Sequence, residues 1–218
     1  MKVKICGIFE EQTLIDLNQN GIWPEYIGFV FAKSRRQIVS DQIKHWLQHI
    51  PNHVKTVGVF VNPTMEEVQE APVEIVQLYG EETPAMCQMI HEQTGKEIWK
   101  VISVAVDDSQ QNIEEYQRIC EDFSNVVDGF IFDTASVNRG GTGIKFSWNP
   151  LRNLWKKCSK PILVAGGVTK EDIPTLRTFP IIGIDLSSGV EINGRKSIEK
   201  IVELVMEARR DESVETDE

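Results

Sequence analysis

Short apolar runs of strand length alternate with helix-length amphipathic stretches along the whole chain, and eight rounds of this alternation follow one another. Regular alternation of strand and helix is typical of a parallel sheet with crossover helices on its faces. The high Val, Ile and Phe content of the apolar runs fits strands that are buried on both faces. The predicted strands are Lys2–Cys6, Tyr26–Phe31, Val54–Val61, Ile75–Leu78, Ile98–Val104, Gly129–Phe132, Ile162–Ala165 and Ile182–Leu186.

One helix is predicted after each of these strands. The predicted helices are Phe9–Asn18, Ser40–His49, Pro63–Gln69, Pro84–Thr94, Gln111–Glu121, Pro150–Lys157, Lys170–Leu176 and Ser197–Arg209. A chain of 218 residues has the length at which eight strand–helix units close into one α/β barrel with a single core. The sequence therefore predicts one (β/α)8 TIM barrel over residues 1–210. The last eight residues, 211–218, include five acidic side chains and are predicted to form a disordered tail.

The formal net charge of −10 argues against a nucleic-acid partner, because such a surface repels the phosphate backbone. It is compatible with one phosphate ligand, since backbone N–H groups and helix N-termini hold phosphate without any net positive charge. The four cysteines show no paired spacing, no secretory leader is visible, and no apolar stretch is long enough to span a bilayer. We therefore expect a cytoplasmic protein with no membrane partner.

Cys6 ends the first predicted strand and is followed by Gly7. In a barrel of this type, that end of the strand opens into the active-site mouth. A thiol there acts as a base when a nearby cation or helix N-terminus lowers its pKa, and Lys4 shares a strand face with Cys6. A free cysteine is also commonly a small core residue, so the position of Cys6 at the strand end is what makes it a candidate.

Asp133 follows the sixth predicted strand, and a glycine-dense segment, residues 139–143, comes soon after it. The common role of Asp-Thr after a strand is a turn or a helix cap. The glycine-dense segment, however, is long enough to fold over a ligand. A carboxyl group buried beneath it would have a raised pKa and could serve as a general acid.

Two turns of small residues end the seventh and eighth predicted strands, with Gly166 and Gly167 in the first and Ser188 and Gly189 in the second. The loops after these two strands are the usual phosphate site of such barrels, because glycine allows close backbone approach and unpaired N–H groups act as donors. The sequence therefore predicts a phosphate site at these turns.

Arg36 is the second of an adjacent arginine pair after the second predicted strand. Its guanidinium group could bind a carboxylate through two hydrogen bonds, although such a pair is often solvated surface. His45 and His49 share a helix face, but no third ligand accompanies them. No metal site is predicted.

Taken in order, the segments that carry these residues resemble the phosphoribosylanthranilate isomerase family of tryptophan biosynthesis. The resemblance covers nearly the whole chain, and its specificity lies in the ordered set of segments. They include Lys4-Ile5-Cys6-Gly7-Ile8, the stretches 28–38, 58–62, 76–80 and 128–134, Gly140-Gly141-Thr142-Gly143, Ala165-Gly166-Gly167 and the stretch 185–191.

The resemblance implies a (β/α)8 barrel that catalyses an Amadori rearrangement of N-(5-phosphoribosyl)anthranilate without a metal or redox cofactor. By this resemblance, Asp133 is the general acid that protonates the ring oxygen, and Cys6 is the general base that removes the C2 proton. Arg36 would hold the anthranilate carboxylate. The residues expected against the phosphate are Gly166, Gly167, Ser188 and Gly189, with Gly141 nearby. The resemblance also implies a monomer with no obligatory protein partner.

The chain departs from the usual family pattern at three positions. Tyr79 stands where histidine is common, Asp172 stands where an asparagine usually follows the seventh-strand turn, and Ser197 replaces an aspartate. Asp172 matters most, because an extra anion near the phosphate loop would weaken binding unless it caps the helix and faces outward.

Two other functions compete with this interpretation. The histidine-pathway aminoaldose isomerases perform the same rearrangement on a two-phosphate substrate, but typically with aspartates as both acid and base, which Cys6 disfavours. A barrel that only binds a phosphorylated metabolite is the second alternative, since a fold does not establish a function. Such a protein would have no need for both Cys6 and Asp133.

Overall fold

Eight parallel strands hydrogen-bond in sequence order, and the eighth pairs with the first, so the sheet closes into a barrel. The structure is a computed structural model, and it describes residues 1–106, 110–134 and 145–210. The strands are β1 (Lys2–Cys6), β2 (Tyr26–Val30), β3 (Lys55–Phe60), β4 (Ile75–Leu78), β5 (Glu97–Val104), β6 (Gly129–Thr134), β7 (Ile162–Val164) and β8 (Gly183–Leu186). The predicted (β/α)8 barrel is confirmed, and each predicted strand agrees with an observed one to within two residues at either end.

A helix follows each barrel strand. The helices are α1 (Glu11–Asn20), α2 (Ser40–Trp46), α3 (Met65–Glu70), α4 (Pro84–Thr94), α5 (Gln110–Phe123), α6 (Arg152–Lys157), α7 (Ile173–Arg177) and α8 (Ile198–Arg209). No described helix is both long and apolar enough to cross a membrane. The tail predicted over residues 211–218 lies outside the described residues.

Local sequence signals explain where several helices begin and end. Thr83 accepts a hydrogen bond from the Met86 backbone N–H, Pro84 occupies the first turn of α4, and Gly95 ends this helix in a left-handed conformation. The short helix α3 begins with a capping box in which Thr64 and Glu67 satisfy each other's backbone donors. These signals lie within a few residues of the helix ends, so they can be found in the sequence.

The apolar core has two layers, as the barrel geometry requires. The larger layer lies between the sheet and the helices. The smaller one fills the barrel interior with side chains that alternate along the strands. It includes Tyr26, Val57, Ile75, Trp99, Val101, Ile131 and Leu163. This packed floor confines any ligand to the mouth of the barrel.

Two features differ from the sequence prediction. Parts of three predicted helices are 3-10 helix rather than α-helix. These 3-10 segments are Leu47–His49, Asn149–Leu151 and Lys170–Asp172, and each adjoins one end of the α-helix. A two-stranded hairpin, β9 (Glu191–Ile192) and β10 (Arg195–Lys196), follows β8 and was not predicted. Its turn residues Asn193 and Gly194 both have positive φ angles, which suit a tight hairpin turn.

Candidate active site

A cavity of about 520 Å³ opens at the carboxyl ends of the barrel strands. Seven of the eight site residues predicted from the sequence line it. They are Cys6, Arg36, Asp133, Gly166, Gly167, Ser188 and Gly189. The eighth, Gly141, lies outside the described residues, together with the rest of the glycine-dense segment 139–143. Residues up to 183 positions apart thus share one site, because each lies at or after the carboxyl end of a strand of the same closed sheet.

Cys6 is the last residue of β1 and faces two ammonium groups. A side chain built on Gly28 would place its Cβ 3.2 Å from Cys6 Sγ and 3.2 Å from Lys4 Nζ, so these two atoms lie no more than twice that distance apart. Burial raises the pKa of the Cys6 thiol above its ordinary value, whereas the positive charges of Lys4 and Lys196 act to lower it. The two lysines therefore favour the thiolate inside a site that otherwise disfavours any charge.

Lys4 forms a buried ion pair at the base of the cavity. Its Nζ atom donates to Asp185 Oδ2 at 2.8 Å. Burial tends to lower the pKa of Lys4, but the Asp185 carboxylate outweighs this effect and raises it, so Lys4 stays charged. Asp185 also lines the cavity, and its Oδ1 atom is buried with no hydrogen-bond partner among the described residues. Such an atom favours a ligand that can donate a hydrogen bond.

Asp133 lies in β6, across the barrel from Cys6, and has the protonation behaviour expected of a general acid. Burial raises the pKa of its carboxyl group to about 6, and a hydrogen bond from Tyr79 opposes the rise. The Tyr79 hydroxyl donates to Asp133 Oδ2 at 2.9 Å. Near neutral pH the carboxyl group is thus close enough to its pKa both to give and to accept a proton.

Arg36 is held from one side by a carboxylate that the sequence analysis did not single out. Its Nε and Nη2 atoms donate to the two oxygens of Glu191, at 2.8 and 3.1 Å. Burial disfavours the Glu191 charge, but Arg36, Lys196 and Arg35 outweigh it and lower the pKa of Glu191 to about 2. The carboxylate is therefore a permanent anchor that orients the guanidinium group at the cavity wall.

Lys196 connects this anchor to the turn after β8. Its Nζ atom donates to Glu191 Oε1 at 2.9 Å and to the Ser187 carbonyl at 2.8 Å. Burial lowers the pKa of Lys196 to about 8, although the Glu191 carboxylate opposes the change. Ser187 in turn donates through its hydroxyl to the Cys6 carbonyl at 3.1 Å. The Cys6 backbone, the arginine anchor and the eighth-strand turn are thus joined by one set of polar contacts.

The turn after β7 can accommodate only glycine. Gly166 has a φ angle of +80°, and a Cβ atom there would lie 2.1 Å from Thr134 Oγ1. Gly167 also has a positive φ angle, of +70°. At the neighbouring turn, a Cβ on Gly189 would lie 3.0 Å from the Val168 carbonyl oxygen. Both turns therefore bring bare backbone to the cavity wall, as a phosphate cradle needs.

The three departures from the family pattern each have a structural partner. Asp172 accepts hydrogen bonds from the Thr169 backbone N–H and hydroxyl, at 2.8 and 3.0 Å, and pairs with Lys145 at 2.6 Å. It caps its helical turn and is not among the residues that line the cavity. Ser197 caps α8 by accepting from the Lys200 N–H, and Tyr79 contacts Asp133 as described above.

Sequence reasoning missed three residues of the site, Asp185, Glu191 and Lys196, and the contact between Tyr79 and Asp133. Strand alternation could have identified Asp185. Strand β8 pairs with β1, and Asp185 is the register partner of Lys4, so both side chains face the barrel interior. Glu191 and Lys196 lie on the hairpin, whose position is a tertiary feature. The Asn193-Gly194 dipeptide is a local signal for the turn, but no local pattern reports where the hairpin lies relative to Arg36.

Comparison with known proteins agrees with this geometry. The family model described as N-(5'phosphoribosyl)anthranilate (PRA) isomerase matches residues 3–207. The chain belongs to the phosphoribosylanthranilate isomerase family. One member of the family, the N-(5'-phosphoribosyl)anthranilate isomerase of Brevibacillus brevis, is 40% identical over 212 residues, which cover 94% of this chain and 91% of that protein.

Solved structures of phosphoribosylanthranilate isomerases share the barrel. The enzyme of Thermotoga maritima is 26% identical, with a TM-score of 0.78 over 95% of this chain and 98% of that one. A second structure, also 26% identical and with a TM-score of 0.75 over the same shares of the two chains, is a phosphoribosyl anthranilate isomerase in complex with reduced 1-(o-carboxyphenylamino)-1-deoxyribulose 5-phosphate. That ligand combines a phosphate, a sugar chain and a carboxylated ring.

Proposed function

We propose that Asp133 and Cys6 carry out the two proton transfers of the isomerisation for which the family is named. The reaction converts N-(5'-phosphoribosyl)anthranilate into 1-(2-carboxyphenylamino)-1-deoxyribulose 5-phosphate, a step of tryptophan biosynthesis. The observation that carries the assignment is that a carboxyl group with a pKa of about 6 and a thiol flanked by two ammonium groups line the same cavity.

The first step opens the sugar ring. Asp133 gives its proton to the ring oxygen while the bond from that oxygen to C1 breaks, and the anilino nitrogen lone pair forms a protonated imine at C1. Without the proton, the leaving oxygen would carry a full negative charge in a buried site. A positioned general acid contributes on the order of 10² to 10⁴ in rate.

The second step removes the proton from C2. The Cys6 thiolate takes this proton, and the C–H electron pair forms the C1–C2 double bond as the imine nitrogen is neutralised. The resulting enolamine tautomerises to the ketone. The positive charge of the protonated imine makes the C2 proton acidic, so a thiolate is a strong enough base.

The two pKa shifts determine how protons are distributed before the reaction. Because the pKa of Asp133 is about 6 and that of the Cys6 thiol lies above its ordinary value, the resting enzyme at neutral pH holds its proton mainly on Cys6. The reactive form has that proton on Asp133 and is a minor form of the same total charge. The positive charges of Lys4 and Lys196 enlarge the minor form, since they favour the thiolate.

The ends of the substrate bind to groups on opposite sides of the reacting carbons. The anthranilate carboxylate binds to Arg36, whose orientation Glu191 fixes. The phosphate binds to the backbone at the turns after β7 and β8, formed by Gly166, Gly167, Ser188 and Gly189. Gly141, which lies outside the described residues, is proposed as a further contact. Two fixed ends hold C2 beside Cys6, which reduces the entropy lost in reaching the transition state.

The domain bounds, the oligomeric state and the cellular location are proposed on more general grounds. We propose that the catalytic domain spans residues 1–210; the acidic segment 211–218 lies outside the described residues. We propose a monomer that needs no cofactor and no protein partner. The four cysteines are free thiols, which supports the proposal of a reducing cytoplasm.

Turnover of freshly prepared N-(5'-phosphoribosyl)anthranilate, followed by the loss of its anthranilate fluorescence, tests the proposed function. The purified chain should consume it and leave the two-phosphate aminoaldose of histidine biosynthesis unchanged. Fluorescence loss no faster than in buffer would contradict the proposal. Conversion of the two-phosphate compound alone would indicate the histidine-pathway reaction instead.

A further inference from the structure

The Tyr79 hydroxyl reaches Asp133 from two strands away. Tyr79 directly follows β4, whereas Asp133 lies in β6, and both side chains line the cavity. The hydroxyl donates to Asp133 Oδ2 at 2.9 Å. The contact therefore lies inside the proposed reaction site.

Contacts at the rim hold the backbone next to Tyr79 in place. Lys100 donates from Nζ to the Gly80 carbonyl and to Glu82 Oε2, each at 2.7 Å. Glu82 also accepts the N–H groups of Gly80 and Asn62, at 3.0 and 2.8 Å. The Lys100–Glu82 pair is buried, so this arrangement resists movement. The backbone that carries the Tyr79 side chain is therefore held in place.

The hydrogen bond distinguishes the two oxygens of the Asp133 carboxyl group. A phenolic hydroxyl keeps its proton at neutral pH, so it donates to Oδ2 whether Asp133 is charged or neutral. An oxygen that already accepts this bond is the poorer site for the carboxyl proton. The Thr134 backbone N–H is a second donor to the Asp133 carboxyl group and also lowers its pKa. The Tyr79 hydroxyl therefore disfavours a proton on Oδ2 in particular.

We propose that Tyr79 is a positioning residue for the acid step, which holds Oδ2 of the Asp133 carboxyl group and so limits its rotation and disfavours a proton on that oxygen. The inference rests on the proposed function, because it requires Asp133 to be the general acid. It adds to that function a group that does not exchange protons itself. A general acid acts only when its protonated oxygen faces the atom that it protonates.

Other charged groups face Asp133 as well. Asp185 on β8 raises the pKa of Asp133, and Lys4 on β1 lowers it. Strand β7 contains only apolar residues, and Lys100 on β5 is engaged with Glu82. Changing Tyr79 leaves all of these charges in place, so the effect of its hydroxyl can be measured separately.

The substitution Tyr79→Phe removes only the hydroxyl and tests the proposal. The pKa of the Asp133 carboxyl group should rise by about one unit, because a hydrogen bond to a charged group is worth on that order. This rise also enlarges the reactive form that holds its proton on Asp133. We still expect kcat to fall about tenfold, because the loss of the contact that orients the carboxyl group outweighs this gain. The titration is measured by ¹³C NMR on protein labelled at the aspartate carboxyl carbons, with the Asp133 signal identified by its absence in Asp133→Asn.

Tyr26→Phe is the matched control. Its hydroxyl accepts from Lys2 Nζ at 3.2 Å, at the opposite end of the barrel, so neither the Asp133 titration nor kcat should change. An unchanged Asp133 titration in Tyr79→Phe would overturn the proposal, as would an unchanged kcat. Failure of the proposed function is a separate result, because full turnover by Asp133→Asn would reject the acid role without any titration.

Discussion

The Asp133 carboxyl group is expected to destabilise the folded chain at neutral pH. Its pKa of about 6 when folded exceeds the value of about 3.9 for an exposed aspartate. Above pH 6 the folded state therefore holds a charge that the unfolded state solvates better. The destabilisation reaches at most about 3 kcal/mol, and it decreases as the pH falls through 6 towards 4, where both states become protonated.

The substitution Asp133→Asn should accordingly stabilise the protein while it removes activity. We expect the free energy of unfolding to rise by about 1 to 3 kcal/mol at pH 8 and by about half as much at pH 5. Urea denaturation at the two pH values measures this difference. A stabilisation that does not depend on pH would contradict the raised pKa.

Glu191 affects substrate binding through Arg36 rather than through the reacting carbons. Glu191→Gln removes the negative charge and one of the two carboxylate oxygens that accept from Nε and Nη2 of Arg36. We expect Glu191→Gln to raise KM about tenfold through the loss of the Arg36 anchor. A smaller fall in kcat should accompany it, because Lys196 loses the carboxylate that supports its charge beside Cys6. The control is Glu97→Gln, which removes a half-exposed ion pair with Lys55 at the start of β5. If KM stays unchanged in Glu191→Gln, the orienting role is wrong.

At the scale of elements, the turn after β7 combines backbone strain with close packing. In Gly166→Ala, a methyl group would meet Thr134 Oγ1 at 2.1 Å, and the residue would keep a positive φ angle. Gly95→Ala is the matched control, because its φ angle is also positive, +67°, and nothing lies within 4 Å of the added methyl group. Strain alone costs about 1 kcal/mol.

Gly166→Ala should therefore destabilise the protein more than Gly95→Ala does. We expect a loss of about 3 kcal/mol or more in Gly166→Ala against about 1 kcal/mol in Gly95→Ala, with a higher KM only in the former. Thermal or urea unfolding and steady-state kinetics measure both effects. Equal losses of stability and equal KM values in the two variants would show that the close approach of Gly166 to Thr134 is not what requires glycine there.

The sequence could predict elements wherever the signal is local. Helix α4 agrees with the prediction at both ends, because Thr83, Pro84 and Gly95 mark its limits. The hairpin of β9 and β10 has only two residues in each strand, too few to show alternation. Its Asn193-Gly194 turn is a local signal. Its position at the site, by contrast, depends on the pairing of Glu191 with the two arginines after β2, a contact between distant parts of the chain.

At the scale of the whole molecule, strand order explains why so much of the site could be predicted. A closed parallel barrel brings every strand end to one mouth, so locating Cys6, Asp133 and the two glycine turns on strand ends suffices to group them. Barrel closure does not determine which groups pair across the mouth. The Tyr79–Asp133 and Arg36–Glu191 contacts depend on side-chain reach, and pattern alone does not report it.

The most direct test of the account is the turnover of N-(5'-phosphoribosyl)anthranilate by Cys6→Ala and by Asp133→Asn, with Cys87→Ala as a control thiol buried outside the cavity. We predict that each of the first two lowers kcat by about 10² to 10⁴, that both still bind the reduced product analogue, and that the control keeps full activity. Wild-type turnover in either Cys6→Ala or Asp133→Asn would contradict the assignment of that residue to a proton transfer.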